Sequence, residues 1–352
     1  MVDICMSKNL PVKTIQYDLF SSFLSNEPES VSNTAELWES IPKYIFTAKQ
    51  VEKLRTKDGL AQEFSWTYFY NNEEFKVSIQ PALIKLNEDD EKSVACFPGV
   101  TEELVEEALK KIFTYNKLGS HDPDKHESLV KFSLYMISKE LKNRGRTRSL
   151  NQIKQALQVM NKCAITLYKK DLNKKKFSTI WQGHILETLF IQNREDYTED
   201  SSSLHCAKLS TFITHSINTL DYRQFNYDRL MECDEQLSRW LYKKLIHRYK
   251  HAAINNDYHF TFSSVVQESA LLQQTSDRHN RQKLHEALEE LIKKKVIREY
   301  KVEFKKDGSK VIDATYLVFP TAEFIQEQKA ANKRYLNSQE QIEHSVKEMI
   351  NE

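Results

Sequence analysis

Residues 144–182 read Arg-Gly-Arg-Thr-Arg-Ser-Leu-Asn-Gln-Ile-Lys-Gln-Ala-Leu-Gln-Val-Met-Asn-Lys-Cys-Ala-Ile-Thr-Leu-Tyr-Lys-Lys-Asp-Leu-Asn-Lys-Lys-Lys-Phe-Ser-Thr-Ile-Trp-Gln. Ser149 with Gln152 three positions on has the form of a capping box, which opens a helix. Leu150, Ile153, Leu157 and Met160 recur at helical spacing and predict its buried face. The opposite face carries Asn151, Lys154, Gln155 and Gln158, side chains that reach base edges and phosphates in a major groove. Arg144, Arg146 and Arg148 precede this helix. A β-hairpin follows, with Lys169, Lys170, Lys174, Lys175 and Lys176 about its tip.

A solvated amphipathic helix would show the same letters, so charge has to separate the two readings. Between residues 131 and 176 there are thirteen Lys/Arg and two acids, a net of +11 in a chain whose total is +1. Residues 1–110 hold eleven Lys/Arg and nineteen Asp/Glu, a net of −8. Such asymmetry concentrates attraction for a polyanion on one part of the surface.

The whole chain, 352 residues with 40% hydrophobic and 29% charged, is long enough for two or three domains with real cores. No stretch approaches a membrane span and no apolar leader follows the N-terminus, so the chain is expected in the cytoplasm with no membrane partner. Cys5, Cys96, Cys163, Cys206 and Cys233 are scattered, which argues against a disulfide framework and a zinc site. The six glycines, none within a loop motif of another, exclude a P-loop and a Rossmann fingerprint. No cofactor is called for.

Outward from the opening stretch, residues 1–34 are expected to be a flexible tail and 35–203 a first domain. Within it, helices are predicted from Thr34 and from Phe46. A hairpin is predicted over Trp66–Tyr70 and Phe75–Ile79, whose aromatic residues suit sheet packing better than base stacking. The acidic run 87–91 reads as a loop, residues 101–115 as a helix, and residues 127–142 as another, on Val130, Leu134, Ile137 and Leu141. Residues 194–203 are the expected linker, followed by a strand over 209–220. The helix predicted over 234–252 buries Leu237, Trp240, Leu241, Leu245 and Tyr249 and leaves Arg239, Lys243, His247 and Lys250 outside.

The order then repeats. A strand at 259–262, a helix over 263–272, a turn, a helix over 278–294 and a hairpin through Tyr300, Val302, Phe304 and back through Tyr316 and Val318 form a second basic unit. From Arg278 to Lys310 there are eleven Lys/Arg and six acids, a net of +5. Two helices, a short turn, a third helix and a hairpin with a basic tip is the order of a winged helix. The expected architecture is therefore α+β, with two tandem winged-helix domains. The second would span 204–325, and 326–352 would form a polar C-terminal tail, a helix that frays into disorder.

The wording of several segments resembles a known family. The run Tyr-Arg-Gln-Phe-Asn-Tyr-Asp-Arg-Leu-Met at 222–231, Leu-Ser-Arg-Trp-Leu-Tyr-Lys-Lys-Leu-Ile-His-Arg-Tyr at 237–249, residues 320–334 and Glu-Glu-Leu-Val-Glu-Glu-Ala-Leu-Lys at 102–110 are similar to plasmid replication initiators built from two winged helices. The resemblance implies binding to direct repeats (iterons) in double-stranded origin DNA, melting of an adjacent AT-rich element, and recruitment of a host initiator and the replicative helicase. It also implies a first domain that takes part in dimerisation and DNA contact, compatible with a homodimer, and association with nucleoid or plasmid DNA.

On this reading the DNA-binding candidates of the first module are Arg144, Arg146, Arg148, Ser149, Asn151, Gln152, Lys154, Gln155, Lys169, Lys170, Lys174, Lys175 and Lys176. Those of the second are Ser276, Arg278, Asn280, Arg281, Gln282, Lys283, His285, Lys305, Lys306 and Lys310. Arginines, asparagines and glutamines suit base edges, and hairpin lysines suit phosphates. The basicity of the first module predicts that it touches DNA as well. A transcriptional regulator or partition-type protein would use the same modules. A DNA-nicking initiator needs a metal site of the His-x-His kind, and none of the eleven histidines forms that pattern, so no enzymatic activity is expected. His247 and His251 lie one helical turn apart, which is half a metal site at most.

Overall fold

The computed structural model describes residues 30–85, 92–114, 118–171, 175–191 and 204–351. Most of the predicted tail, the acidic run 87–91, the linker 194–203 and Lys174 lie outside the described residues. The chain is an α+β protein. Its first part contains β1 (Val31–Thr34), α1 (Glu36–Ser40), α2 (Ala48–Leu54), the hairpin β2 (Phe64–Tyr70) and β3 (Glu73–Gln80), the short strands β4 (Ala82–Ile84) and β5 (Val94–Cys96), and α3 (Val100–Phe113). Then come β6 (Gly119–Asp122), β7 (Glu127–Phe132), α4 (Leu134–Asn143), α5 (Leu150–Lys162), β8 (Ala164–Asp171), β9 (Lys176–His184) and β10 (Leu186–Phe190). After the linker lie β11 (His205–Leu209), α6 (Thr211–Asn218), β12 (Arg223–Asn226), α7 (Tyr227–Glu232) and α8 (Gln236–Arg248). The chain ends with β13 (Tyr258–Thr261), α9 (Phe262–Ser269), α10 (Asp277–Lys293), β14 (Ile297–Asp307), β15 (Lys310–Pro320) and α11 (Ala322–Asn351).

Local chemistry explains the elements that position the basic surfaces. The Ser149–Gln152 capping box forms as predicted, and Ile153, Leu157 and Met160 of α5 are buried, although Leu150 is exposed. Asn71 and Asn72, both left-handed, close the β2–β3 hairpin, a turn that asparagine tolerates and that matches strand twist. β3 then pairs with β8, so the basic hairpin β8–β9 is half of a four-stranded sheet in the order β2-β3-β8-β9.

Three segments differ from expectation. Residues 127–142 split into β7 and α4, because Ser128, Val130 and Phe132 alternate inward between β6 and β11, and Ser133 caps α4 by accepting a hydrogen bond from the Met136 amide. The strand expected over 209–220 is instead α6, opened by Ser210, whose hydroxyl accepts from the Phe212 amide. Residues 31–34, expected in a tail, form β1, which pairs with β12 and buries Ser32, Asn33 and Thr34. β11 follows residue 203 yet lies between β10 and β7, so hydrogen bonding of the first part continues past that point.

One continuous set of buried apolar side chains runs through both parts of the chain. Between them sits a buried ionic network that joins α1 and α3 to α8. Lys110 Nζ lies 2.7 Å from Glu39 and 2.6 Å from Glu107, and Lys243 Nζ reaches the same two carboxylates. Arg239 lies 2.8 Å from Glu103, while Glu106 accepts from the Trp38 indole and the Tyr44 hydroxyl. Arg239, Lys243 and His247 are therefore interior, contrary to the solvated face predicted for this helix: carboxylates from distant elements give the polar side of α8 a buried partner. Burial alone would raise the Glu39 carboxyl, but the ammonium groups of Lys110, Lys243 and Lys43 pull it well below the usual carboxylate range.

The helix expected in the polar tail forms as α11, which begins at Ala322 and buries Phe324, Ile325, Gln328 and Ala331. Arg223 donates to Gln328 at 2.9 Å and to Asn332 at 2.7 Å, tying this helix to β12.

Candidate nucleic-acid interface

The C-terminal module presents its basic residues on two adjoining elements. α10 buries Asn280, Leu284, Ala287, Leu288 and Leu291, a stripe at helical spacing that leaves Arg278, His279, Gln282 and Lys283 exposed over the first turns. An exposed helix face of arginine, histidine, glutamine and lysine can donate to phosphates and read acceptor and donor groups on base edges. Beside it, β14 and β15 pair along their whole length, but β13 covers only Thr315–Val318. The distal part is therefore a two-stranded ribbon that carries Lys305, Lys306 and Lys310, all exposed, around the turn Gly308–Ser309. Gly308 takes φ 59°, a left-handed conformation that favours glycine.

The ribbon is anchored at its base. Asp313 accepts from the Ser263 amide at 3.0 Å and from its hydroxyl at 2.7 Å, which fixes α9 against β15. These hydrogen bonds outweigh the effect of burial and hold the Asp313 carboxyl below its usual range. Exposed Phe304 and Ile312 add apolar surface among the lysines.

Not every predicted contact residue of this module faces outward. Asn280 is 3% exposed, and its amide group makes two hydrogen bonds to the Gln274 backbone, at 3.0 and 2.9 Å, that close the turn between α9 and α10. Arg281 is half-buried with its guanidinium 5.5 Å from the Phe262 ring centre. His285 pairs with the Tyr316 hydroxyl at 2.9 Å, and burial lowers its basicity. Ser276 is the half-buried residue that starts α10. His279 replaces Asn280 and His285 on the exposed face. Its spacing of four from Lys283 marks the two as neighbours on a helix.

In the first module many predicted contacts are engaged within the protein. Arg144 reaches Asp228 and Glu140, each at 2.9 Å, and Arg146 reaches Asp234 at 2.6 Å. Arg148 donates to the Thr101 hydroxyl at 3.1 Å. Ser149 and Gln152 are occupied by the capping box, and Lys154 and Gln155 are half-buried with partners of their own. Lys169 pairs with Glu73 at 2.7 Å and Lys170 pairs with Glu74, acids that β3 brings alongside β8. Asn151, Lys175 and Lys176 are exposed. Five of the cations behind the local charge of +11 thus face acids or a hydroxyl inside the fold, while Lys131, Lys139, Lys142, Lys162, Lys175 and Lys176 are exposed.

His247 is 4% exposed with Nε2 3.3 Å from the Thr34 hydroxyl, which makes it a core residue. Trp66 donates to the Gln267 carbonyl and Tyr68 is buried, so these two β2 aromatics pack against the fold, while Phe69 is exposed. Among the described residues no helix is long and apolar enough to cross a membrane.

No family model matches the chain, and no curated protein sequence does. Among solved structures it is similar to domains 2 and 3 of RctB, with 13% identity and a TM-score of 0.47 over 80% of this chain and 97% of that one. A second structure of RctB domains 2–3 matches with 12% identity and a TM-score of 0.44, covering 77% and 94% of the two chains. The Pi initiator protein, solved in complex with iteron DNA, matches with 14% identity and a TM-score of 0.40, covering 63% and 94%.

Proposed function

We propose that this chain is a sequence-specific, double-stranded-DNA-binding replication initiator of two winged-helix modules that acts without enzymatic chemistry. The observation that carries the DNA-binding part is the C-terminal pair of elements: α10 exposes Arg278, His279, Gln282 and Lys283 next to a ribbon tipped with Lys305, Lys306 and Lys310. Helix side chains read the major groove and the ribbon lysines sit on flanking phosphates. The hairpin tip at Lys175 and Lys176 supplies further phosphate contacts from the first module.

The step from DNA binder to initiator rests on the resemblance of residues 102–110, 222–231, 237–249 and 320–334 to plasmid initiators. On that reading the target is a row of direct repeats at an origin, and the bound protein helps open neighbouring DNA and load the host helicase. The test is replication of a reporter plasmid that carries the DNA flanking the gene and no other origin. Replication that requires both this protein and that DNA supports the proposal. Repression of a promoter without replication would assign the chain to transcriptional control instead.

A further inference from the structure

The turn between α4 and α5, expected to be a DNA-contacting arm, grips another part of the protein. Arg146 donates through Nε to the Met231 carbonyl and through Nη1 to the Asp234 carboxylate, both at 2.6 Å. Arg144 donates to Asp228 at 2.9 Å with its guanidinium 4.7 Å from the Tyr227 ring centre. Both arginines therefore hold α7 and its junction with α8. The other side of that junction is held by α10: the Glu290 carboxylate accepts from the backbone amides of Asp234 and Glu235, at 2.5 and 3.0 Å. A chain of short polar contacts thus runs from the α4–α5 turn, through residues 231–235, to the helix that carries Arg278 and Gln282.

We infer that Arg146, with Arg144 beside it, is a positioning residue that clamps the α7–α8 junction and so fixes the separation of hairpin β8–β9 and helix α10 along one duplex. The inference rests on the DNA-binding reading above and adds to it a determinant of spacing. An arginine suits this role because its planar fork makes two directed hydrogen bonds, which an ammonium group does not reproduce. The cations that contact phosphates are others, so removing Arg146 leaves the count of released counterions unchanged.

The test uses the full chain and a duplex bearing its selected site, titrated at several salt concentrations. The same duplex is also lengthened by a few base pairs between the segments protected by the two modules. Arg146→Ala is expected to bind the uninterrupted site roughly tenfold more weakly, a change of about 1.4 kcal/mol, to keep the native salt slope, and to lose discrimination against the lengthened site. Arg146→Lys, which retains the charge, should lose that discrimination too. In the protein alone, the amide protons of Asp234 and Glu235 should exchange faster in Arg146→Ala. A salt slope reduced by about one ion with discrimination intact would overturn the inference, because Arg146 would then touch a phosphate. Unchanged exchange at Asp234 and Glu235 would remove the clamp by itself. A native chain that binds no duplex would sink the proposed function and the spacing role, and the exchange result would still report on the clamp.

Discussion

Lys243 Nζ lies 2.7 Å from Glu39 Oε2, inside the protein, joining helix α8 to helix α1. Both side chains are under a tenth exposed, and Lys243 also reaches Glu107. Lys110, Glu107 and Lys43 close around them, so the two halves of the chain meet through paired charges as well as apolar packing. Removing Lys243 leaves the buried Glu39 and Glu107 carboxylates to share the Lys110 ammonium, and breaking a buried pair in this way typically costs about 3–5 kcal/mol.

Lys243→Met is therefore expected to destabilise the protein by about 3–5 kcal/mol in equilibrium urea unfolding. A loss below about 1 kcal/mol, the usual range of an exposed pair, would mean that water reaches this network.

Helix α10 could be recognised from its letters because Leu284, Leu288 and Leu291 set its phase, and the structure keeps that phase. The ionic network could not. Glu103, Glu106 and Glu107 look like acids favouring a helix N-terminus, and their partners arrive from residues near 40, 110 and 240. The +11 stretch overstates the free charge for the same physical reason: a count along the chain omits Glu73, Glu74, Asp228 and Asp234, which folding places beside Lys169, Lys170, Arg144 and Arg146. At 127–132 a period of two and a period of 3.6 coincide on Val130, and sheet pairing with β6 and β11 decides between them.

Acid should weaken the fold through His247. Burial holds its imidazole neutral, with a pKa pushed down to about 3, whereas an unfolded histidine takes up a proton near pH 6.5. The unfolded state then binds more protons between those values, so stability is full above about pH 7 and falls by up to about 1.4 kcal/mol per unit as pH drops below about 6.5. Urea unfolding at pH 7.5 and at pH 5.5, above the ordinary carboxylate range, should show this loss in the native chain and a smaller one in His247→Gln. Equal losses in the two proteins would contradict the assignment.

Asn280 and Arg278 lie two positions apart on one helix and should behave in opposite ways. Asn280→Ala breaks the staple to Gln274 and is expected to lower stability by about 1–3 kcal/mol with the salt dependence of binding unchanged. Arg278→Ala should alter stability by no more than about 0.5 kcal/mol and weaken specific binding by about 1–3 kcal/mol. The reverse pattern would place Asn280 on the DNA.

Replacing Lys305, Lys306 and Lys310 together by alanine should weaken binding to all duplexes alike. The slope of log affinity against log salt should shrink by roughly 0.9 for each phosphate that no longer meets a lysine. A change confined to one DNA sequence would show that the ribbon reads bases.

The most direct measurement is selection of duplexes from a random pool by the purified chain, run beside the Arg278→Ala/Gln282→Ala double variant. The account predicts that the native chain enriches one defined sequence, that this sequence recurs as direct repeats in the DNA flanking its gene, and that the double variant enriches it poorly. Recovery of an unenriched pool by the native chain, or identical enrichment by the variant, would contradict sequence reading by helix α10.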